Sequence, residues 1–173
     1  IVHLAGRPAG SVRRHPHLVH HLHDDLLSTH RLLEAIVAAG VPRLVVGSCA
    51  EVATALDDPT IVIEGETLPE DPIAAALIEI EALCTVYGAT NGLSIAIARC
   101  FPTYGPRQRP DMGLFRMINS AIAGHPFVTE DASTRDDYID VSEVADALRH
   151  AAGVDFEGTV TFDVGCGRTR SQA

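Results

Sequence analysis

Three groups of side chains in this 173-residue chain could do chemistry, and each suggests a different kind. His17, His20, His21, His23, Asp24 and Asp25 crowd one short stretch. On a helix His17 and His21, or His20 and Asp24, stand one turn apart and could chelate a divalent cation in pairs. No third ligand from another segment can be identified, so incidental nickel or zinc binding is expected there and no physiological metal site. Cys49 ends an apolar run, where a thiol could act as a nucleophile, but no partner histidine is dictated and a buried structural cysteine is the ordinary outcome. Arg7, Arg13 and Arg14 share one loop and could face an anionic substrate; three such arginines are more often solvated charges.

The elements that would hold these groups follow from periodicity. Ile1 to Ala5 is a short apolar run ended by Gly6, and Gly6 to Pro16 has loop composition. Leu22, Leu26, Leu27, Leu33, Ile36 and Val37 recur at helical spacing over 17–39, and Gly40 and Pro42 stop that helix. Arg43 to Val46 reads as a buried strand. The Pro-, Gly- and acid-rich stretch Asp57 to Asp71 predicts an exposed loop. A helix follows over 72–91, then a strand over Leu93–Arg99, a loop over 101–112 and a helix over 113–123. Phe127–Val128 and Tyr138–Ile139 read as short strands, Val141–Ala152 as a helix and Val160–Val164 as a last strand. Strands alternating with helices imply βαβ units and a mostly parallel sheet, an α/β fold.

Composition narrows the partners. The formal charge of −10 repels nucleic acid and anionic lipid, so neither is expected. Protonating all nine histidines would bring that charge to −1, so solubility should fall on mild acidification. Four cysteines without a CxxC pair imply reduced thiols and a cytoplasmic setting. No apolar run is expected to reach the length of a membrane span. The chain opens on Ile1 within a strand-like run, and Gly167 to Ala173 reads like the start of a further segment, so both ends look cut.

A family resemblance covers nearly the whole chain. Arg99-Cys100-Phe101-Pro102-Thr103-Tyr104-Gly105-Pro106, followed by Arg107-Gln108-Arg109-Pro110-Asp111-Met112, resembles the Arg-x-x-Asn-x-Tyr-Gly-Pro segment of NAD-dependent epimerases/dehydratases. These are nucleotide-sugar enzymes of the extended short-chain dehydrogenase class. Val2-His3-Leu4-Ala5-Gly6 is similar to that family's fourth Rossmann strand. Arg31 to Ala35 matches the helix after it, with Asp25 at a family Asn position. Arg135-Asp136-Asp137-Tyr138 resembles the family's Arg-Asp-aromatic segment to within one residue of register, and Phe162 to Gly167 its Asn-Val-Gly-x-Gly. The family's glycine-rich pyrophosphate turn has no counterpart; Gly6 to Gly10 has the wrong spacing and reads as a plain loop.

The resemblance implies a partial Rossmann-type parallel sheet with its first strands missing, over 1–106. Part of a small C-terminal substrate domain over 107–173 follows, with the strands of the two free to interleave. It implies NAD or NADP near Leu4, Ala5, Gly6, Ser48, Pro102 and Tyr104. A nucleotide-sugar would lie near Arg107 and Arg135, and helices 17–39 and 72–91 would form a homodimer. It also exposes a loss. Where the family has Pro-Tyr-x-x-x-Lys, this chain has Pro72-Ile73-Ala74-Ala75-Ala76-Leu77, and Cys49 stands at the catalytic Ser/Thr position. A tyrosine, with its pKa of about 10, needs a nearby cation to act as base at neutral pH. Ile73 carries no proton and Leu77 no charge. Losing a positioned acid–base group costs about 10²–10⁴ in rate, so impaired hydride transfer is expected. The alternative is a non-catalytic scaffold that binds a nucleotide-sugar or pairs with a homologue.

Overall fold

The computed structural model describes residues 1–5, 18–52, 61–63, 66–68, 72–127 and 135–171. Its centre is a four-stranded parallel sheet ordered β1 (Val2–His3), β2 (Arg43–Cys49), β5 (Ser94–Cys100), β9 (Thr159–Val164). Helix α1 (Leu18–Ala38) leads from β1 into β2, and α2 (Pro72–Asn91) leads from β2 towards β5. Parallel neighbours need such crossovers, which is why the apolar runs and helical periods alternate in the sequence.

The sheet is covered on both faces, and the strand residues sort between them by alternation. Leu44 and Val46 of β2 and Ile95 and Ile97 of β5 pack with Leu33 and Ile36 of α1 and Ile80 and Cys84 of α2. On the other face Val45, Ala96 and Ala98 meet Val144 and Leu148 of α4 (Val141–Gly153). Two alanines on that face let α4 lie close to β5. Gly40 ends α1 with φ of 63°, and the Val41 N–H closes onto the Ile36 carbonyl at 3.1 Å. That left-handed position is the one glycine adopts without penalty.

Helix α2 corrects one expectation. Its stretch Ile73–Asn91 has a mean hydropathy of 1.5, so by length and composition it could cross a membrane. In this fold one side of it packs inward: Ile73, Ala74, Ile80 and Cys84 are buried, and Glu81 is paired with Arg99.

Small elements gather around the C-terminal ends of the parallel strands. β6 (Thr103–Tyr104) pairs in parallel with β8 (Ile139–Asp140), and β7 (Arg135–Asp136) pairs antiparallel with β10 (Arg170–Ser171). Helix α3 (Gly113–Ile122) lies between β6 and β7 in the chain. β9 then returns to the large sheet beside β5. Other expectations differ as well: β6 lies within 101–112, expected to be a loop, and Tyr138 is not in a strand. The stretch Asp57–Asp71 contains a hairpin, β3 (Ile61–Ile63) with β4 (Glu66–Leu68), where the Gly- and Pro-rich composition hid two three-residue strands. Phe127 is not in a strand, and Val128 lies outside the described residues.

Candidate functional site

Positions 73, 77 and 81 follow one another at single turns along α2, so they share a face. Ile73 is 5% exposed and Leu77 half-buried, so the first two turns of that face offer hydrocarbon only. The third offers Glu81, 8% exposed and fully engaged. The Arg99 guanidinium donates to its two oxygens at 3.2 and 2.7 Å, and the Ser48 hydroxyl donates to Oε1 at 2.5 Å. This charge-assisted, two-pronged bond ties α2 to the ends of β2 and β5. The sequence points to Ser48 as cofactor-facing; in the structure its hydroxyl serves this tie.

Cys49, the next residue, is half-buried, and its thiol donates to Glu51 Oε2 at 3.4 Å. Burial first, then the Glu51 carboxylate, push that thiol up to about 12. A thiol so held is overwhelmingly protonated at neutral pH, so little of it is nucleophilic thiolate there. Glu51 itself is an exposed carboxylate at the same strand end, unmarked by the sequence motifs.

Beyond the strand ends lies a cleft of about 570 Å³ lined by Tyr104, Leu114, Ile118, Tyr138, Cys166, Arg168 and Arg170. Its cationic wall is set by a buried anchor. Asp137, 5% exposed, accepts from the backbone N–H groups of Gly167 at 2.7 Å and Arg168 at 3.3 Å. That fixes the turn carrying Arg168. Gly105 follows Tyr104 with φ of 137°, and a Cβ there would meet Val141 Cγ1 at 2.6 Å. The chain therefore passes against α4 at a point only glycine allows. Two arginines beside two phenols and two aliphatic side chains suit an anion carrying a flat or apolar group.

The predicted positions divide as follows. Tyr104 lines the cleft. Pro102 is exposed and serves β8 through its carbonyl, which accepts from Ile139 N–H at 3.1 Å. Arg107, exposed, has φ of 68° and is not among the cleft-lining residues. Arg135 is exposed and donates to the Thr169 hydroxyl and carbonyl, both at 3.2 Å, so it braces the β7–β10 pair. Leu4 and Ala5 are exposed at the end of β1; Gly6, Arg7, Arg13, Arg14 and His17 lie outside the described residues. His23 and Asp24 are exposed and 4.0 Å apart, and among the described residues no group of three His, Cys, Asp or Glu is placed to hold a metal. Arg168, Arg170 and Tyr138 are the residues missed. The basic alternation Arg168-Thr169-Arg170 was a readable signal, but only the fold shows that it turns towards Tyr104.

A parallel α/β sheet with a cleft outside the carboxyl ends of its strands is the architecture of Rossmann-type proteins. The sequence profile of the NAD dependent epimerase/dehydratase family matches residues 1–165, and the chain belongs to that family. It is 30% identical over 141 residues to the uncharacterized UDP-glucose epimerase YtcB of Bacillus subtilis (strain 168), covering 80% of this chain and 43% of that one. It is 29% identical over 146 residues to the UDP-glucuronate 4-epimerase of Thermodesulfobacterium geofontis (strain OPF15), covering 84% and 45%. Among solved structures it resembles MoeE5 in complex with UDP-glucuronic acid and NAD, with TM-score 0.79 and 32% identity over 98% of this chain and 57% of that one. The chain spans about half the length of the curated relatives it matches.

Proposed function

We propose that this chain binds a nucleotide-sugar in the Tyr104–Arg170 cleft and is impaired in its family's hydride transfer. The observation that carries the reading is the α2 face: Ile73 and Leu77 stand where the family resemblance places Tyr and Lys, while Glu81–Arg99 still locks the helix in position. The frame that would orient a reacting carbon is kept, and the proton acceptor and its activating cation are not. Arg168 and Arg170 would take the diphosphate, because a guanidinium fork matches phosphate oxygens. Tyr104, Tyr138, Leu114 and Ile118 would take the base or sugar faces.

NAD or NADP is the cofactor implied by the resemblance. The described residues do not fit its reactive end: hydrocarbon side chains fill the positions that would grip the ribose and handle the proton. No step of the reading runs through it. A second reading, a dimerising scaffold in the cytoplasm, draws support from the outer side of α1 and α2, where Val37 and Val86 are 39% and 57% exposed.

The test is calorimetric titration of UDP-glucose and UDP-glucuronic acid, paired with chromatography of the sugar product. The expected result is binding that weakens at least tenfold in Arg168→Ala, with no epimer or dehydrated product. Turnover at the family's pace would refute the impairment; absence of binding at millimolar ligand would refute the cleft.

A further inference from the structure

Cys49 and Cys100 are direct register partners at the ends of two neighbouring parallel strands. Alternation puts them on one face. Val45 of β2 and Ala96 and Ala98 of β5 face α4, and Cys49 and Cys100 continue those two rows. Cys100 packs against that same cluster, and its charge raises the Cys49 thiol further. Neighbouring strands lie about 4.8 Å apart, inside the Cα separation of roughly 4.4–6.8 Å that a disulfide spans. The Cβ atoms must close to about 3.5–4.5 Å. Both residues are the last of their strands. Both are half-buried and so within reach of a small reagent, whereas Cys84 is 0% exposed under the opposite face.

We propose that Cys49 and Cys100 form a redox-sensitive dithiol that closes to an intramolecular disulfide by exchange with a low-molecular-weight disulfide. One thiolate attacks the small disulfide, forming a mixed disulfide and releasing one small thiol. The second thiolate then attacks the protein sulfur and releases the other. The two protein thiols lose two electrons and two protons, and the small disulfide gains both. Closure removes the S–H that Cys49 donates to Glu51 and pins the ends of β2 and β5 together beside the Ser48–Glu81 tie. It therefore changes the strand end at which the family resemblance places a hydroxyl. The inference stands on strand register alone and does not depend on nucleotide-sugar binding.

Rate is the signature. A thiol held near 12 is about one part in 10⁵ thiolate at pH 7, a fraction that rises tenfold per pH unit. The reduced whole chain is incubated with glutathione disulfide at pH 7, 8 and 9, quenched in acid, alkylated and mapped by mass spectrometry without reduction. The expected product has lost two hydrogens and joins the peptides of Cys49 and Cys100, forming about tenfold faster per pH unit. Cys100→Ser should stop at a glutathione adduct on Cys49. Cys166→Ser, which removes the exposed competitor, should leave the internal link unchanged. Stable glutathione adducts on both thiols of one chain, or both still alkylated at pH 9, would overturn the proposal. So would a link that disappears in Cys166→Ser.

Discussion

Glu81 and Arg99 make the sharpest quantitative case in this structure. Their side chains are 10% and 18% exposed, with the closest approach 2.7 Å. Glu81→Leu takes the Glu81 carboxylate from the largely buried guanidinium, and Arg99→Met takes the guanidinium from the carboxylate. Breaking a buried pair from one side costs about 3–5 kcal/mol, and the residual exposure of Arg99 argues for the lower end. Against a total of about 5–15 kcal/mol that is a large share. For a chain of this size 3 kcal/mol moves the thermal midpoint by about 6–12 °C. The double variant behaves differently, because both charges leave together and two apolar side chains of similar volume replace them. The Ser48 hydroxyl then lacks this acceptor, so the double variant should lose about 1–2 kcal/mol. Guanidinium titration of the four proteins, with a common slope, measures the cycle. If the double variant loses the sum of the singles, the pair is two independent surface charges and the reasoning fails.

Four further outcomes are expected. Asp137→Ala strands the Gly167 and Arg168 N–H groups and should cost about 2–3 kcal/mol, together with weaker UDP-sugar binding by calorimetry. Asp140 caps α4 by accepting from Ser142 N–H at 2.8 Å, and hydrogen bonds from Ser142 hold its carboxyl below the usual value of 3.8. That stabilisation is complete above the unfolded pKa and is lost as pH falls through the lower folded one, so the gap between wild type and Asp140→Ala in urea should close as pH falls below 3.8. Gly105→Ala forces a side chain into positive φ and against Val141, for a loss of about 1–3 kcal/mol in the same assay. Ile73→Tyr with Leu77→Lys should cost about 2–4 kcal/mol of stability in the ligand-free protein, read from its denaturation midpoint.

What the sequence made legible is what contiguous patterns encode. Within the strands read over Arg43–Val46 and Leu93–Arg99, Leu44–Val46 and Ile95–Ala98 are apolar without a break, and strands buried on both faces read that way. Helices α1 and α2 announce themselves by length and by Gly40 and Gly92 after them. Motif positions placed Ile73 and Leu77 correctly on one helix face. The β3–β4 hairpin was illegible because three residues are too few to show a period. Glu81 and Arg99 are 18 residues apart, and their meeting depends on the helix-to-strand return rather than on any local spacing. Arg135 looked like the substrate cation by motif, yet β7 pairs with β10 and turns it onto Thr169. Cys49 and Cys100 likewise become neighbours only once the β2–β5 register is known.

The α2 face separates groups that position from groups that react. Tyr and Lys at 73 and 77 would carry a phenol and an ammonium into a face where Ile73 is 5% exposed and Leu77 half-buried. Each would need a polar partner, and Glu81, the nearest carboxylate on that face, already takes Arg99 and Ser48. A working pair of that kind is therefore held against the preference of the ligand-free fold, and bound ligand must offset the cost. Ligand at about 100 times its Kd contributes about 2.7 kcal/mol, comparable to the penalty. Hydrocarbon at both positions avoids the penalty and leaves Glu81–Arg99 intact, so the frame does not depend on polar groups at 73 and 77. The Ile73→Tyr, Leu77→Lys protein thus discriminates. If it is less stable alone and recovers more with UDP-sugar than the wild type does, the face still opens onto the ligand. If it gains stability without ligand, Ile73 and Leu77 were never filling a site built for polar groups.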